Sequence, residues 1–175
     1  MSGYLASSAE EDGRYRYSLH RRWSYAGPPL VYLMLNPSTA DGLHDDPTIE
    51  SCVRIAKGSG YGAITVVNLF AIRSTNPIML ADFPDPIGPL NDKTVKEKTD
   101  RMDVCMGWGT YRPNTREWMR RHGIWIRLDP IWTTVHLVAE SARIYYTKLS
   151  GDGRPYHPLY QKASSILRKY ERLYV

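Results

Sequence analysis

The sequence predicts an α/β protein: one three-layer domain built on a central, mostly parallel sheet. Three observations predict it. Short apolar runs (LVYLMLN at 30–36, AITVVNLF at 63–70, DVCMGWG at 103–109) recur along the chain, each bounded by Gly, Pro or Asn. Such runs have the length and flanks of strands buried on both faces. Between the first two lies a stretch of helical periodicity, so the order is strand, loop, helix, strand, the grammar of a right-handed parallel crossover. And 175 residues suffice for one domain with a real core but not for two comfortable ones.

Taken in order, residues 1–14 are expected to be a loosely attached N-terminus and 15–175 the single α/β domain. RYRYSLHRRW alternates enough to be an edge strand. Gly27-Pro28-Pro29 breaks the chain and launches the first apolar run. After the polar loop PSTADGLHDDP, Asp46-Pro47 reads as N-cap and first helical residue, with Ile49, Cys52, Val53 and Ala56 at helical spacing. AITVVNLF is rich in β-branched residues, as strands are. Residues 71–92 carry four prolines and little periodicity, and a loop of that length in a compact domain is usually functional or disordered. A weak helix is expected over 92–100, a strand at 103–109, a helix over TREWMRRHG, and strands at 124–128 and 142–149. WTTVHLVAE reads equally as strand or helix, and KASSILRKYERLYV as a closing amphipathic helix. There is no internal repeat or low-complexity tract.

Composition narrows the function classes. No apolar run approaches the ~20 residues of a membrane span, and the N-terminus lacks the basic-then-apolar order of a secretion signal, so a cytoplasmic site and no membrane partner are expected. The two cysteines, Cys52 and Cys105, stand alone in apolar contexts and read as buried thiols. They are too few for a four-thiolate site, and neither cofactor nor metal is expected. The formal charge of +5, with basic clusters at 21–23, 116–122 and 167–175, fits an anionic partner. Thirteen tyrosines and five tryptophans stand against two phenylalanines, which adds rings with a polar edge that can stack on bases. Any one basic cluster is equally a solvated surface.

Four polar groups follow apolar runs: Asn36-Pro37-Ser38-Thr39, Asn68-Leu69-Phe70, Gly107-Trp108-Gly109 and His157-Pro158-Leu159. Loops at strand ends converge on one crevice in an open α/β sheet. Singly, each has an ordinary reading: Asn before Pro makes a turn, Asn at a strand end caps it, Gly-Trp-Gly packs, His-Pro turns. Among the carboxylates of the first loop, Asp46 caps a helix and Asp45 complements its dipole. Asp41, which no capping role claims, is the favoured catalytic candidate of the three. Arg73 and Arg154, close to Asn68 and His157 in sequence, would face the crevice and hold a phosphate.

The series MLNPSTADGLHDDPTI, VVNLFAIR, MGWG and GRPYHPLY resembles domain-of-unknown-function family 1643 over roughly residues 15–165. More distantly, the same order resembles the uracil-DNA glycosylase superfamily: an Asn-Pro water loop, a strand ending in a base-reading Asn, a strand ending in Trp-Gly, and a late His-Pro loop. That resemblance implies that Asn36 holds the hydrolytic water and that Asn68 reads a flipped base, with Pro37 and Trp108 beside it. It implies that His157 donates to the oxygen on which charge develops, a contact commonly worth ~3 kcal/mol. Ser38 and Thr39 would contact a phosphate, and Leu159 and Tyr160 would wedge into the base stack. The partner implied is DNA. The alternatives are a non-catalytic binder of modified bases or single strands, and an enzyme acting on free nucleotides.

Overall fold

The computed structural model describes residues 3–110, 117, 119–121, 123, 125–162 and 164–171. They form β1 (Ala6–Asp12), β2 (Tyr15–Arg22), β3 (Pro29–Met34), helix α1 (Pro47–Gly58), β4 (Ala63–Asn68), helix α2 (Asn91–Thr99), β5 (Asp103–Met106), helix α3 (Pro130–His136), β6 (Arg143–Tyr146) and β7 (Arg168–Lys169). Short 3-10 turns occupy Pro77–Asp82, Trp125–Leu128 and Pro158–Tyr160.

The strands make one sheet in the order β1-β2-β4-β3-β5-β6-β7. Its centre, β4-β3-β5-β6, is parallel. Its flanks pair antiparallel, so the sheet is mixed and the mostly parallel expectation holds only for the middle. Alternation along β3 builds two cores. Val31 and Leu33 face the side covered by Val95 of α2 and by Leu137 and Val138 at the end of α3. Leu30, Tyr32 and Met34 face Ile49, Cys52, Val53 and Ala56 of α1. The sheet is the middle of three layers.

Local chemistry explains the elements. Asp46 caps α1, its Oδ1 accepting from Ile49 N at 2.9 Å, with Pro47 next. Asp129 caps α3 through Ile131 N and Trp132 N, which resolves the first part of the ambiguous WTTVHLVAE, up to His136, as helix. Both cysteines are free and buried, and burial pushes their thiols up. No helix of the described residues is long and apolar enough to cross a membrane.

Four expectations are corrected. The N-terminal stretch is no loose tail over Ala6–Asp12: it is the outer strand β1, and RYRYSLHRRW is therefore internal. Its backbone pairs with β2, Glu10 and Glu11 meet Lys98 and Arg73, and Ser7 Oγ donates to Gly42 O at 2.7 Å. The strand expected at 124–128 is a 3-10 turn at Trp125–Leu128, where buried Arg127 donates to Leu69 O at 3.0 Å and pairs with Asp92. The closing helix is absent from the described part of 162–175. The edge of β6 takes up Arg168–Lys169 instead, and Tyr170 N donates to Ile144 O at 2.7 Å. The helix expected over 115–123 lies largely outside the described residues.

Buried Arg21 of β2 ties down the loop before α1. Its Nε donates to Asp45 at 2.7 Å, and its Nη2 donates to the carbonyls of Asp41 at 2.6 Å and His44 at 3.2 Å.

Candidate functional site

β3 and β5 are neighbours whose chains leave in opposite directions, β3 through α1 to β4 and β5 toward β6. Ligand crevices open beyond the carboxyl ends of strands at such a point. Here it is a cavity of about 670 Å³. The ends of the first three core strands contribute Asn36, Asn68 and Trp108, and the late loop contributes His157. The proline-rich segment after β4 supplies one wall through Ser74, Thr75 and Pro77.

Each polar group is held in a definite way. Asn36 Nδ2 donates to two carbonyls, Ser74 O at 2.7 Å and Pro37 O at 3.0 Å. With both amide hydrogens engaged, Oδ1 is the acceptor left at the cavity wall. Asn68 is 1% exposed, and its Nδ2 has no hydrogen-bond partner. A buried donor left unpaired costs about 1–3 kcal/mol, and so requires a reason. His157 Nδ1 accepts from Leu159 N at 3.2 Å. The neutral ring therefore carries its proton on Nε2, a donor that the turn does not use. Burial pushes the imidazole down to about 4, against an upward pull from Asp46.

Gly107 lets this loop come close. A Cβ there would lie 2.9 Å from Met34 Sδ and 3.0 Å from Pro158 Cδ. Gly109, with φ of +95°, takes a left-handed turn that lets its N–H donate to Pro155 O at 3.1 Å. Trp108 is fully buried, with Nε1 donating to Leu128 O at 3.2 Å.

The remaining expected site residues divide. Ser38, Leu159 and Tyr160 line the cavity; Tyr160 is 79% exposed, and its ring centroid lies 5.8 Å from that of His157. Pro37, Thr39, Asp41, Arg73 and Arg154 are not among the lining residues. Pro37 is buried beneath the loop. Thr39 is exposed, and its carbonyl accepts from Arg73 Nη2 at 3.4 Å. Asp41 makes a turn: its Oδ1 accepts from Leu43 N and His44 N, both at 2.7 Å, which holds its carboxyl well below the usual range. Arg73 binds Glu11 at 2.6 Å and Ala40 O at 3.1 Å. Arg154 pairs with Asp152 and stacks 3.9 Å over Trp125. Neither arginine reaches the crevice because nearer acceptors claim it.

Two charged lining residues were not singled out as site groups by the sequence: Asp46, weighed there but read as a helix cap, and Arg16. Asp46 is the one carboxylate among the described lining residues, a helix cap and a cavity group at once. Arg16 is 2% exposed, donates to Ala40 O, and keeps an unpartnered Nε. Burial and the charge of Arg73 push its guanidinium down to about 10. The available signal was a charged residue in mid-strand, hidden by taking that strand for an edge. Among the described residues no group of three or more His, Cys, Asp or Glu is placed to hold a metal ion.

No curated protein and no solved structure matches the chain. One family model does, described as a protein of unknown function, and it spans residues 16–159, from the strand that carries Arg16 to the turn that follows His157. The chain therefore belongs to the DUF1643 family.

Proposed function

We propose that the chain is a base-directed enzyme of uracil-DNA glycosylase type, taking a modified or damaged base into the cavity and cleaving its N-glycosidic bond. One observation carries the reading: the Asn36 and Asn68 amides and the His157 imidazole line a single cavity of about 670 Å³. A polar-studded pocket of that size suits a planar heterocycle and its sugar.

In this reading Asn68 reads the base edge, and its unpaired donor is satisfied only when a base is present. The base departs with the electron pair of the bond, and charge develops on a ring carbonyl oxygen. His157 Nε2–H donates to that oxygen as a neutral group, so it stabilises the charge without giving up its proton. Asn36 Oδ1 holds a water whose oxygen bonds to the anomeric carbon. The water's proton ends on the departed base, with Asp46 as the carboxylate through which it can pass. Leu159 and Tyr160 stand at the rim, where a wedge acts.

The test is incubation with oligonucleotides carrying uracil, hydroxymethylated or other modified bases, followed by alkaline cleavage of abasic sites. Cleavage is expected with at least one of these bases. Asn36→Ala and His157→Ala should each reduce it about a hundredfold or more while melting within a few degrees of the parent. Intact strands in every case end the enzymatic reading.

A second reading, an enzyme acting on free nucleotides, is favoured by Arg16, a buried guanidinium in the cavity wall with a donor to spare. It predicts that a mononucleotide raises the melting temperature and that Arg16→Met abolishes the shift.

A further inference from the structure

A second cavity, of about 700 Å³, adjoins the first. Tyr156 and Tyr160 line both, so the two share a wall at the Pro158–Tyr160 turn. The second is formed by the end of β6, the loop after Tyr160 and β7. Its charge is one-sided: Lys148, Lys162 and Arg168 line it, and none of its described lining residues is acidic. All three cations are exposed, and none is ion-paired with a carboxylate among the described residues. Three tyrosines, Tyr146, Tyr156 and Tyr160, line it; Lys148 Nζ sits 4.8 Å over the Tyr156 ring, and Tyr160, 79% exposed, has the most open ring of the three. Thr147 is 7% exposed, lines the cavity, and leaves its Oγ1 without a partner.

We propose that this second cavity holds the single-stranded nucleic acid that flanks the base bound in the first. The proposal rests on the base-directed reading of the first site and makes its substrate a strand rather than a free nucleotide. Uncompensated cations beside a hydroxyl fit backbone phosphates, and tyrosine faces fit bases whose own faces are free. A duplex offers no such faces, because its bases stack on one another. A mononucleotide would fill one cavity and leave the other, with its cations, unused.

The experiment is fluorescence anisotropy with a short labelled oligodeoxythymidylate, on the full chain and on Lys162→Ala, Arg168→Ala, Lys162→Glu and Arg168→Glu. These exposed positions leave melting unchanged. Each alanine should lower the slope of log affinity against log salt by about 0.7, one released counterion on a single strand. Each glutamate should weaken binding by about tenfold or more, while the melting shift given by thymidine monophosphate stays as in the parent. Four results overturn the proposal: the oligonucleotide binds no tighter than the mononucleotide, the variants bind as the parent does, a duplex binds as well as the single strand, or polyglutamate competes equally. Strand binding that depends on Lys162 and Arg168 without excision of any base upholds this site and defeats only the enzymatic reading. Excision indifferent to both residues does the reverse.

Discussion

At the scale of single residues, His157 is the most informative. A ring held neutral down to about pH 4 can donate from Nε2 across the whole physiological range. Activity should therefore stay level as pH falls from 8 to about 5, then fade as the ring protonates, which an initial-rate profile measures. Stability has its own signature. The unfolded ring takes up a proton near pH 6.5, whereas the folded one resists until about 4. The unfolded state thus binds more protons between those values, and stability falls as pH drops through that window. His157→Asn should flatten this part of a melting-temperature curve. Asn68→Ala makes the complementary case: it deletes an orphaned donor, so melting should hold or rise while base handling is lost. Asp41→Ala, in contrast, should lower melting slightly and leave activity alone, since Asp41 serves only its own turn. Asn36, Asn68 and Trp108 could be brought to one cavity from the sequence because each follows an apolar run and strand ends converge, whereas His157, which follows a turn-rich loop, was placed there by the resemblance alone. Arg16 and Asp46 were not, since a charge in mid-strand and a helix cap already have ordinary explanations. Arg73 and Arg154 were misplaced for a related reason: proximity in sequence to a site residue says nothing of the acceptors, Glu11 and Asp152, that compete for a guanidinium.

Among elements, those fixed by local signals were readable and those fixed by pairing were not. α1 has Asp46, Pro47 and a clean apolar stripe, and its bounds follow from them. Residues 162–175 carry a helical stripe in sequence too, but at Arg168–Lys169 the open edge of β6 offers backbone hydrogen bonds that outweigh it. β1 carries acids along ASSAEED and reads as a solvated tail, because backbone pairing leaves no mark on composition. The turn at Pro158–Tyr160 depends on a neighbour in another way. Gly107→Ala would press a methyl against Pro158 and Met34, and shifts of that kind typically cost about 1–3 kcal/mol. Because the displaced turn carries His157, kcat should fall further than thermal stability alone would suggest, and side-by-side kinetics and calorimetry would separate the two.

For the molecule as a whole, a parallel centre sets the crevice and antiparallel flanks finish the sheet. Removing residues 1–14 should accordingly do more than trim a tail. It strips β1 from β2, bares a strand edge, and removes the contacts of Tyr4 with Asp45 and of Ser7 with Gly42. The truncated chain should melt lower and elute earlier in size-exclusion chromatography as it self-associates. The guanidinium of Arg21 carries a related consequence. By grasping Asp45 together with the carbonyls of Asp41 and His44, it freezes the segment between Ser38 and Asp46 before any guest arrives. The entropy of immobilising that segment is thus lost during folding rather than at encounter, and a guest meets a rigid mould rather than a loop it must first quiet.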